Sequence, residues 1–229
     1  MNHLAVIMPV YNEEEAIRGV LTKWIHQLEQ LDVNYTIFVY NDGSKDHTDA
    51  ILNQFATNHP HIHIYNQTNC GHGPTILRGY VDHSDCPWIF QTDSDDEMSP
   101  SEFHVLWNQR NQYDFLIGRR SGRNSSLSRK LISLLSRWTV HWFYGSGVYD
   151  VNSPYRLMRT EIFRDLFKKI PKETFAPNLI ITGHACKKNM RMLEVDIPYN
   201  GRQTGTVSIQ KWKLIKAALT SFKQTIGFA

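Results

Sequence analysis

The chain reads Phe90-Gln91-Thr92-Asp93-Ser94-Asp95-Asp96-Glu97 directly after the apolar pair Trp88-Ile89. The apolar residues 88–90 predict a short buried strand, and four carboxylates follow it. Clustered carboxylates repel one another, and a bound divalent cation usually offsets this repulsion. Asp93 and Asp95 are two residues apart, so both can turn toward one ion where the strand frays. Because hard oxygen ligands suit Mg²⁺ or Mn²⁺, the stretch predicts a metal site at these two residues.

Strand and helix patterns alternate on the amino-terminal side of this stretch. Short apolar runs at residues 4–8, 35–40 and 62–65 predict strands. Helical spacing of apolar residues, or turn signals followed by such spacing, predicts helices at residues 13–31, 46–56 and 74–81. The alternation predicts an α/β fold with a mainly parallel central sheet flanked by helices. Ligands bind such folds at the carboxyl ends of the strands, which is where Asp93 and Asp95 fall.

The carboxyl-terminal half has a looser pattern. It predicts strands at residues 113–118 and 191–195 and helices at 100–109, 126–144, 160–167, 177–188 and 210–225. The apolar, tryptophan-bearing helix 126–144 suits either packing on the sheet or the headgroup region of a membrane. We predict one catalytic domain over residues 1–206, with a nucleotide- and metal-binding half (1–98) and an acceptor-binding half (99–206). A peripheral basic amphipathic helix over 207–229 follows it.

Composition excludes several classes of protein. With 41% hydrophobic and 21% charged residues in 229, the chain is typical of a soluble globular protein. Its three cysteines, Cys70, Cys86 and Cys186, form no CxxC pair, which argues against a disulfide framework or a zinc knuckle. No apolar run reaches the ~18 residues of a membrane span, and the amino terminus lacks the pattern of a signal peptide. We therefore expect a cytoplasmic location.

Charge is distributed unevenly along the chain. The net charge is +3, yet residues 115–149 and 197–229 contain no Asp or Glu and carry many Lys and Arg. This split predicts an acid-lined metal site in one half and an anionic partner for the other, such as phosphate, a membrane surface or nucleic acid. A pI of about 8.7 and the lack of a recognised motif argue against nucleic acid. The sequence leaves the oligomeric state open.

Four loops should meet at one edge of the sheet. Residues 9–14, 41–44 and 92–96 each follow a predicted strand, and residues 69–74 precede a helix with two glycines, Gly71 and Gly73. Such glycines let backbone N–H groups approach an anion at the helix start. Taken singly, residues 41–44 could be only a turn and the glycine pair is a weak signal. Together the four loops predict a site for a nucleoside diphosphate.

These motifs carry a resemblance to a known family. Residues 6–13 (VIMPVYNE), 41–48 (NDGSKDHT), 71–73 (GHG) and 93–95 (DSD) resemble the family-2 inverting glycosyltransferases of the GT-A fold. The match is strongest with the dolichyl- and polyprenyl-phosphate sugar synthases. It implies a UDP- or GDP-sugar donor whose diphosphate is held by Mg²⁺ or Mn²⁺ on Asp93 and Asp95. The remaining donor contacts that it implies are Pro9, Tyr11, Glu13, Asp42, Gly71, His72, Gly73 and Arg202.

The resemblance also suggests how an acceptor phosphate is held. It implies phosphate contacts from Arg119, Arg120, Arg123, Arg156 and Ser208, and catalytic roles for Asp93, Asp95, Arg119, Asp150 and Arg202. Two segments depart from the family pattern: Pro154 replaces a Gly, and Ser208 lies farther from Arg202 with no Lys after it. The implied function is sugar transfer to a dolichyl- or undecaprenyl-type phosphate with inversion. The enzyme would lie on the inner, cytoplasmic face of a membrane.

Two alternatives remain at this stage. A transferase acting on a saccharide hydroxyl in glycan or lipopolysaccharide assembly needs a general base. That base usually comes from a Glu-Asp pair, which the second half lacks, so Asp150 is the candidate. The other alternative is a non-catalytic module that binds membranes or anions. Loss of either metal carboxylate would stop turnover in a transferase but would leave such a module binding its partner.

Overall fold

The computed structural model describes residues 3–122, 134, 138, 141–142, 148–201, 220, 223–225 and 227–228. Among these residues the strands form a single sheet, β3-β2-β1-β4-β6-β5-β7. The strands are β1 His3–Val10, β2 Asn34–Asn41, β3 Ile62–Asn66, β4 Trp88–Gln91, β5 Phe115–Ser121, β6 Arg156–Arg159 and β7 Met192–Pro198. Only β6 runs antiparallel to its neighbours, β4 and β5. The prediction of an α/β fold with a mainly parallel sheet is confirmed.

Helices cover both faces of the sheet. The helices are α1 Ile17–Gln30, α2 Thr48–Asn58, α3 His72–Asp82, α4 Phe103–Gln109, α5 Thr160–Lys169 and α6 Pro177–Lys187, and a 3₁₀ turn over Pro100–Glu102 leads into α4. The core clusters place α1, α2 and α4 on one face and α3, α5 and α6 on the other. In the described part of the chain, no helix has the length and apolarity to cross a bilayer.

The central strand β1 shows why this sequence forms a two-sided sheet. Leu4, Val6 and Met8 pack on the α1 side, and Ala5 and Ile7 pack on the α3 side. A strand covered on both faces is apolar at every position, which explains its continuous run instead of an alternating pattern.

Pro9 lies inside β1, although the strand was predicted only over residues 4–8. It is paired with Tyr40 of β2, whereas β4 pairs only with Leu4–Ile7. Ile7 accepts a bond from Thr92 N on the β4 side, and the main chain of Pro9 faces the same way because strand residues two apart share an orientation. The missing N–H of Pro9 therefore points past the end of β4 and costs no ladder hydrogen bond.

The strand β6 was not predicted from the sequence. Its four residues, Arg-Leu-Met-Arg, are too short and too basic at both ends to give a strand signal. The segment forms a strand because β4 and β5 flank it, with Phe90 opposite Leu157 and Leu116 opposite Leu157. Tertiary pairing here outweighs local pattern.

The predicted helices at 126–144 and 210–225 lie mostly outside the described residues, and the domain boundaries stay a prediction. The described residues near the carboxyl terminus contact the domain. The Gln224 side chain accepts a hydrogen bond from Phe175 N at 2.9 Å, and Thr225 is 1% exposed. Residues 173–175 precede α6, so this contact ties the end of the chain to the α6 side of the sheet.

Two glycines inside helices allow a matched test of the packing of α3 on the sheet. A Cβ at Gly79 in α3 would lie 2.4 Å from Ile7 Cγ2, whereas a Cβ at Gly19 in α1 would meet nothing within 4 Å. Both Gly→Ala changes raise helix propensity, so only the packing differs. We expect Gly79→Ala to destabilise the protein by about 1–3 kcal/mol and Gly19→Ala to stabilise it by about 0.5–1 kcal/mol. Urea unfolding of both variants measures the difference, and equal shifts would contradict this packing.

Candidate functional site

The loops after β1 and β2 are fastened to each other by reciprocal hydrogen bonds. Asn12 N donates to Ser44 Oγ at 3.0 Å, and Lys45 N donates to Asn12 Oδ1 at 2.8 Å. Glu13 N donates to Thr48 Oγ1 at 2.9 Å. Ser44 and Thr48, which belong to the motif over residues 41–48, thus use their hydroxyls to brace the neighbouring loop. These hydrogen bonds join the two loops at the carboxyl edge of the sheet.

Asp42, at the end of β2, holds the glycine loop. Asp42 is 4% exposed, and its carboxylate accepts from Cys70 N and Gly71 N, both at 2.9 Å, and from Gln67 Nε2 at 2.8 Å. Burial alone would raise the pKa of Asp42, but these hydrogen bonds outweigh it and hold the pKa below its usual value. An ionised Asp42 therefore fixes the Gly71 backbone at φ +95°, a conformation that only glycine adopts readily.

His72 begins α3 directly after this loop and reaches Asp93, in the acidic stretch after β4. Its Nε2 lies 3.0 Å from Asp93 Oδ1, and the side chains are 54% and 30% exposed respectively. Desolvation would lower the pKa of His72, but the negative charge of Asp93 outweighs it, and the pKa is raised. At Asp93, burial opposes ionisation while His72 favours it, and the pKa of Asp93 is lowered. The structure thus links the glycine loop to the predicted metal site.

The predicted metal carboxylates share one cleft. The cleft is lined by Thr92, Asp93, Asp95, Glu97, Met98, Arg120 and Pro154. It lies at the carboxyl end of β4, where ligands bind in sheets of this kind.

The donor set in this cleft fits a divalent cation bound together with a phosphate. Within the described residues, no group of three or more His, Cys, Asp or Glu side chains is placed to hold a metal alone. Magnesium-type ions commonly use only one or two protein carboxylates and complete their octahedron with substrate phosphates and water. Asp93 and Asp95 supply that number of carboxylates. The cation would therefore depend on the donor diphosphate for its remaining ligands.

Two adjacent arginines at the end of β5 have different surroundings. Arg120 lines the cleft, and its guanidinium binds Asp150 through two hydrogen bonds of 2.7 Å, with both side chains 15% exposed. Arg119 instead binds Asp196 of β7, with Nη2 to Oδ2 at 2.7 Å, and is 42% exposed. Consecutive strand residues point to opposite sides, so these two arginines cannot both face the cleft.

Comparison with known proteins agrees with this architecture. The model of the family described as glycosyl transferase family 2 matches residues 5–171, which run from the third residue of β1 to just past α5 and include every described residue of the cleft. The chain belongs to glycosyl transferase family 2.

Curated relatives of this family 2 chain include enzymes named for lipid phosphates. It is 27% identical over 219 residues to the undecaprenyl-phosphate 4-deoxy-4-formamido-L-arabinose transferase of Proteus mirabilis, covering 94% of this chain and 65% of that protein. It is 27% identical over 218 residues to a dolichyl-phosphate beta-glucosyltransferase of Trichomonas vaginalis, covering 86% and 66%. The chain thus spans slightly less than two thirds of the length of these relatives.

A solved structure supports the fold assignment. Glucosyl-3-phosphoglycerate synthase from Mycobacterium tuberculosis, crystallised with Mn²⁺, UDP and glucosyl-3-phosphoglycerate, superposes with a TM-score of 0.71 at 15% identity, covering 99% of this chain and 80% of that one. At this identity the likeness concerns the fold. The family 2 chain described here has the GT-A fold predicted from its sequence.

Arg156 of this family 2 protein does not lie where an acceptor phosphate could reach it. Its exposure is 0%, and its guanidinium donates to Ser153 O at 2.9 Å, to Asn178 O at 3.1 Å and to Thr182 Oγ1 at 3.4 Å. Burial lowers the pKa of Arg156 to about 10. The prediction that Arg156 touches the phosphate is therefore wrong for this structure. Its guanidinium instead ties β6 to the first turn of α6.

The other predicted site residues divide into three groups. Pro9, Glu13 and Asp42 are buried at the β1 and β2 ends, and Tyr11 is half-buried beside them. Gly73 packs so closely on residues 174–175 that a Cβ would lie 2.2 Å from Phe175 O. The predictions for Arg123, Arg202 and Ser208 lie outside the described residues.

Sequence reasoning missed two buried amides: Gln91, which donates to Asp93, and Asn178, which donates to Gln91. Gln91 lies two residues before Asp93, and an amide in a buried strand beside carboxylates was the available signal. Asn178 lies 87 residues away along the chain, and no local pattern connects the two.

Proposed function

We propose that this protein transfers a sugar from a UDP- or GDP-sugar to a polyprenyl-type phosphate, with inversion and with a divalent cation on Asp93 and Asp95. One observation carries the proposal: an arginine, Arg120, lies in the same cleft as the two carboxylates. The positively charged guanidinium of Arg120 can bind an anionic acceptor next to a donor that is held by the metal ion. The names of the two curated relatives, which are both lipid-phosphate sugar transferases, support the same acceptor class.

In this reaction some residues of the chain would bind the donor and others would bind the acceptor. Asp93 and Asp95 would hold the cation, which when bound neutralises charge on the departing nucleoside diphosphate. The loop that Asp42 fixes would position the donor beside them. Arg120, held by Asp150, would orient the acceptor phosphate so that its oxygen attacks the anomeric carbon opposite the leaving group. Positioning and electrostatics would supply most of the rate enhancement.

The acceptor phosphate needs no general base. A phosphate monoester has a second pKa near 6, so it is already anionic at neutral pH. A hydroxyl acceptor would require a base, and Asp150 was the candidate. Both carboxylate oxygens of Asp150 accept hydrogen bonds from Arg120, which makes it a poor proton acceptor. The geometry therefore favours the phosphate over the saccharide hydroxyl.

We further propose that the protein contacts a membrane through the segment that contains Trp138. Leu134, Trp138 and Trp142 have helical backbone and are 49%, 59% and 75% exposed. In the helix that the sequence predicts over residues 126–144, their spacing of four residues would place them along one side. Exposed tryptophans beside basic residues are typical of helices in the headgroup region. This supports the membrane interpretation of the predicted helix 126–144.

Donor turnover tests the proposed reaction. The chain is incubated with Mn²⁺ or Mg²⁺ and each UDP- or GDP-sugar, with and without a short polyprenyl phosphate in vesicles. We expect nucleoside diphosphate release that requires the lipid phosphate, and protein that pellets with the vesicles. Release only with a saccharide would shift the acceptor to a hydroxyl, and no release with any donor would favour a binding module. Protein that stays in the supernatant would contradict the membrane contact.

A further inference from the structure

A group of buried amide and hydroxyl side chains lies directly beneath Asp93. Gln91 is 0% exposed at the end of β4, and its Nε2 donates to Asp93 Oδ1 at 3.0 Å. Its Oε1 accepts from Asn178 Nδ2 of α6 at 2.9 Å and lies 3.1 Å from the Tyr80 hydroxyl of α3. That hydroxyl also lies 3.0 Å from Asn178 Oδ1. Side chains from β4, α3 and α6 thus form one hydrogen-bonded group, and Gln91 connects that group to the carboxylate of Asp93.

The chemistry of these groups fixes the direction of each hydrogen bond. An ionised Asp93 can only accept, so the amide nitrogen of Gln91 must face it. The oxygen of Gln91 then faces Asn178, which must present its own nitrogen. The oxygen of Asn178 is left to accept from Tyr80. Reversing either amide would place two donors or two acceptors face to face in a buried site, which is costly.

The backbone of Asn178 is held as well as its side chain. The buried Arg156 guanidinium donates to Asn178 O at 3.1 Å and to Ser153 O at 2.9 Å. This joins the first turn of α6 to the segment before β6. Hydrogen bonds therefore hold both the backbone and the side chain of Asn178, and Asn178 can in turn hold Gln91.

We propose that Gln91 and Asn178 are positioning residues that hold Asp93 in the orientation in which it binds a divalent cation. This deepens the proposed function and rests on it for the identity of the metal ligand. Both Gln91 and His72 bond to Oδ1 of Asp93, and among the described residues Oδ2 accepts no hydrogen bond. Oδ2 is thus the oxygen that is left to the cation. Outer residues that orient a metal ligand commonly change metal affinity when replaced.

Two substitutions separate orientation from charge. Gln91→Met keeps the length of the side chain and removes the donor to Asp93, so the Mn²⁺ dissociation constant should rise about 10-fold. Asn178→Asp adds a negative charge, which by electrostatics alone would tighten cation binding. It also replaces the donor Nδ2 with an acceptor, so Gln91 would turn its nitrogen toward residue 178 and its oxygen toward Asp93. We therefore expect Asn178→Asp also to weaken Mn²⁺ binding.

The measurement is a Mn²⁺ titration of the full chain, with free Mn²⁺ counted by electron paramagnetic resonance, in the presence of UDP and then of GDP. Leu52→Ala in α2, a core change on the other face of the sheet, serves as a control for lost stability and should leave the dissociation constant unchanged. Folded Gln91→Met with unaltered Mn²⁺ affinity, or tighter binding by Asn178→Asp, would overturn the proposal. A wild-type chain that takes up no Mn²⁺ would overturn it together with the metal role of Asp93. A chain that follows these expectations but transfers no sugar would refute only the proposed reaction.

Discussion

We expect Asp93→Asn and Asp95→Asn each to lower the rate of sugar transfer by at least about 100-fold, the upper range seen when outer residues of a metal site are replaced. Each change removes a charged ligand of the proposed cation and keeps the size of the side chain. At position 93 an Asn can still accept from Gln91 through its Oδ1, so the protein should fold. The measurements are the initial rate of nucleoside diphosphate release and the Mn²⁺ dissociation constant, which should change together.

The same loop provides a matched control for this experiment. Asp96 follows Asp95, but its carboxylate binds Lys23 of α1 at 2.5 Å, and it does not line the cleft. Asp96→Asn removes one negative charge from the same loop, and Asn tolerates the φ of +58° at this position. Its transfer rate should stay close to that of the wild type. If Asp96→Asn were as damaging as Asp93→Asn, the loop's total charge would matter and a specific metal site would not be supported.

The second large effect that we expect concerns the acceptor. Arg120→Gln should raise the KM for polyprenyl phosphate about 10- to 100-fold, because a hydrogen bond to a charged group contributes about 1.5–3 kcal/mol. The KM for the nucleotide sugar should change much less. Steady-state kinetics with each substrate varied in turn separates the two constants.

The adjacent arginine is the control for Arg120. Arg119 carries the same charge one residue earlier, but it binds the exposed Asp196, and exposed ion pairs contribute little. Arg119→Gln should therefore leave both KM values nearly unchanged. A larger acceptor effect from Arg119→Gln than from Arg120→Gln would show that the phosphate binds outside the cleft. Urea unfolding of both variants checks that the loss of the Asp150 partner has not unfolded the protein.

Much of the fold was predictable because the signals were local. The continuous apolar run of β1 and the helical spacing of α1 each depend on a few neighbouring residues, and both elements are present close to their predicted bounds. The carboxylates after β4 were placed at the ligand-binding edge by the same reasoning. That edge follows from parallel strands alone, since their carboxyl ends lie together.

The errors concern residues whose environment is made by distant parts of the chain. Arg156 was predicted to hold phosphate because of its motif, but it is enclosed by Ser153, Asn178 and Thr182. The strand β6 forms only because two longer strands flank it. Arg119 and Arg120 were both predicted to contact the acceptor phosphate, but only Arg120 of the two lines the cleft, and Arg119 binds Asp196.

The α/β class, and carboxylates at the ends of the strands, could be predicted from the sequence because hydrophobic periodicity and turn residues act over a few positions. The GT-A fold was implied by the resemblance of four short motifs to a known family. Three features became visible only in the folded protein: Arg120 faces the cleft, Arg156 is buried, and Asn178 bonds to Gln91, 87 residues away along the chain. The contacts of Arg156 and Asn178 arise because α6 packs on the sheet beside β4 and β6. Contacts between segments that are far apart along the chain leave no periodic pattern in the sequence.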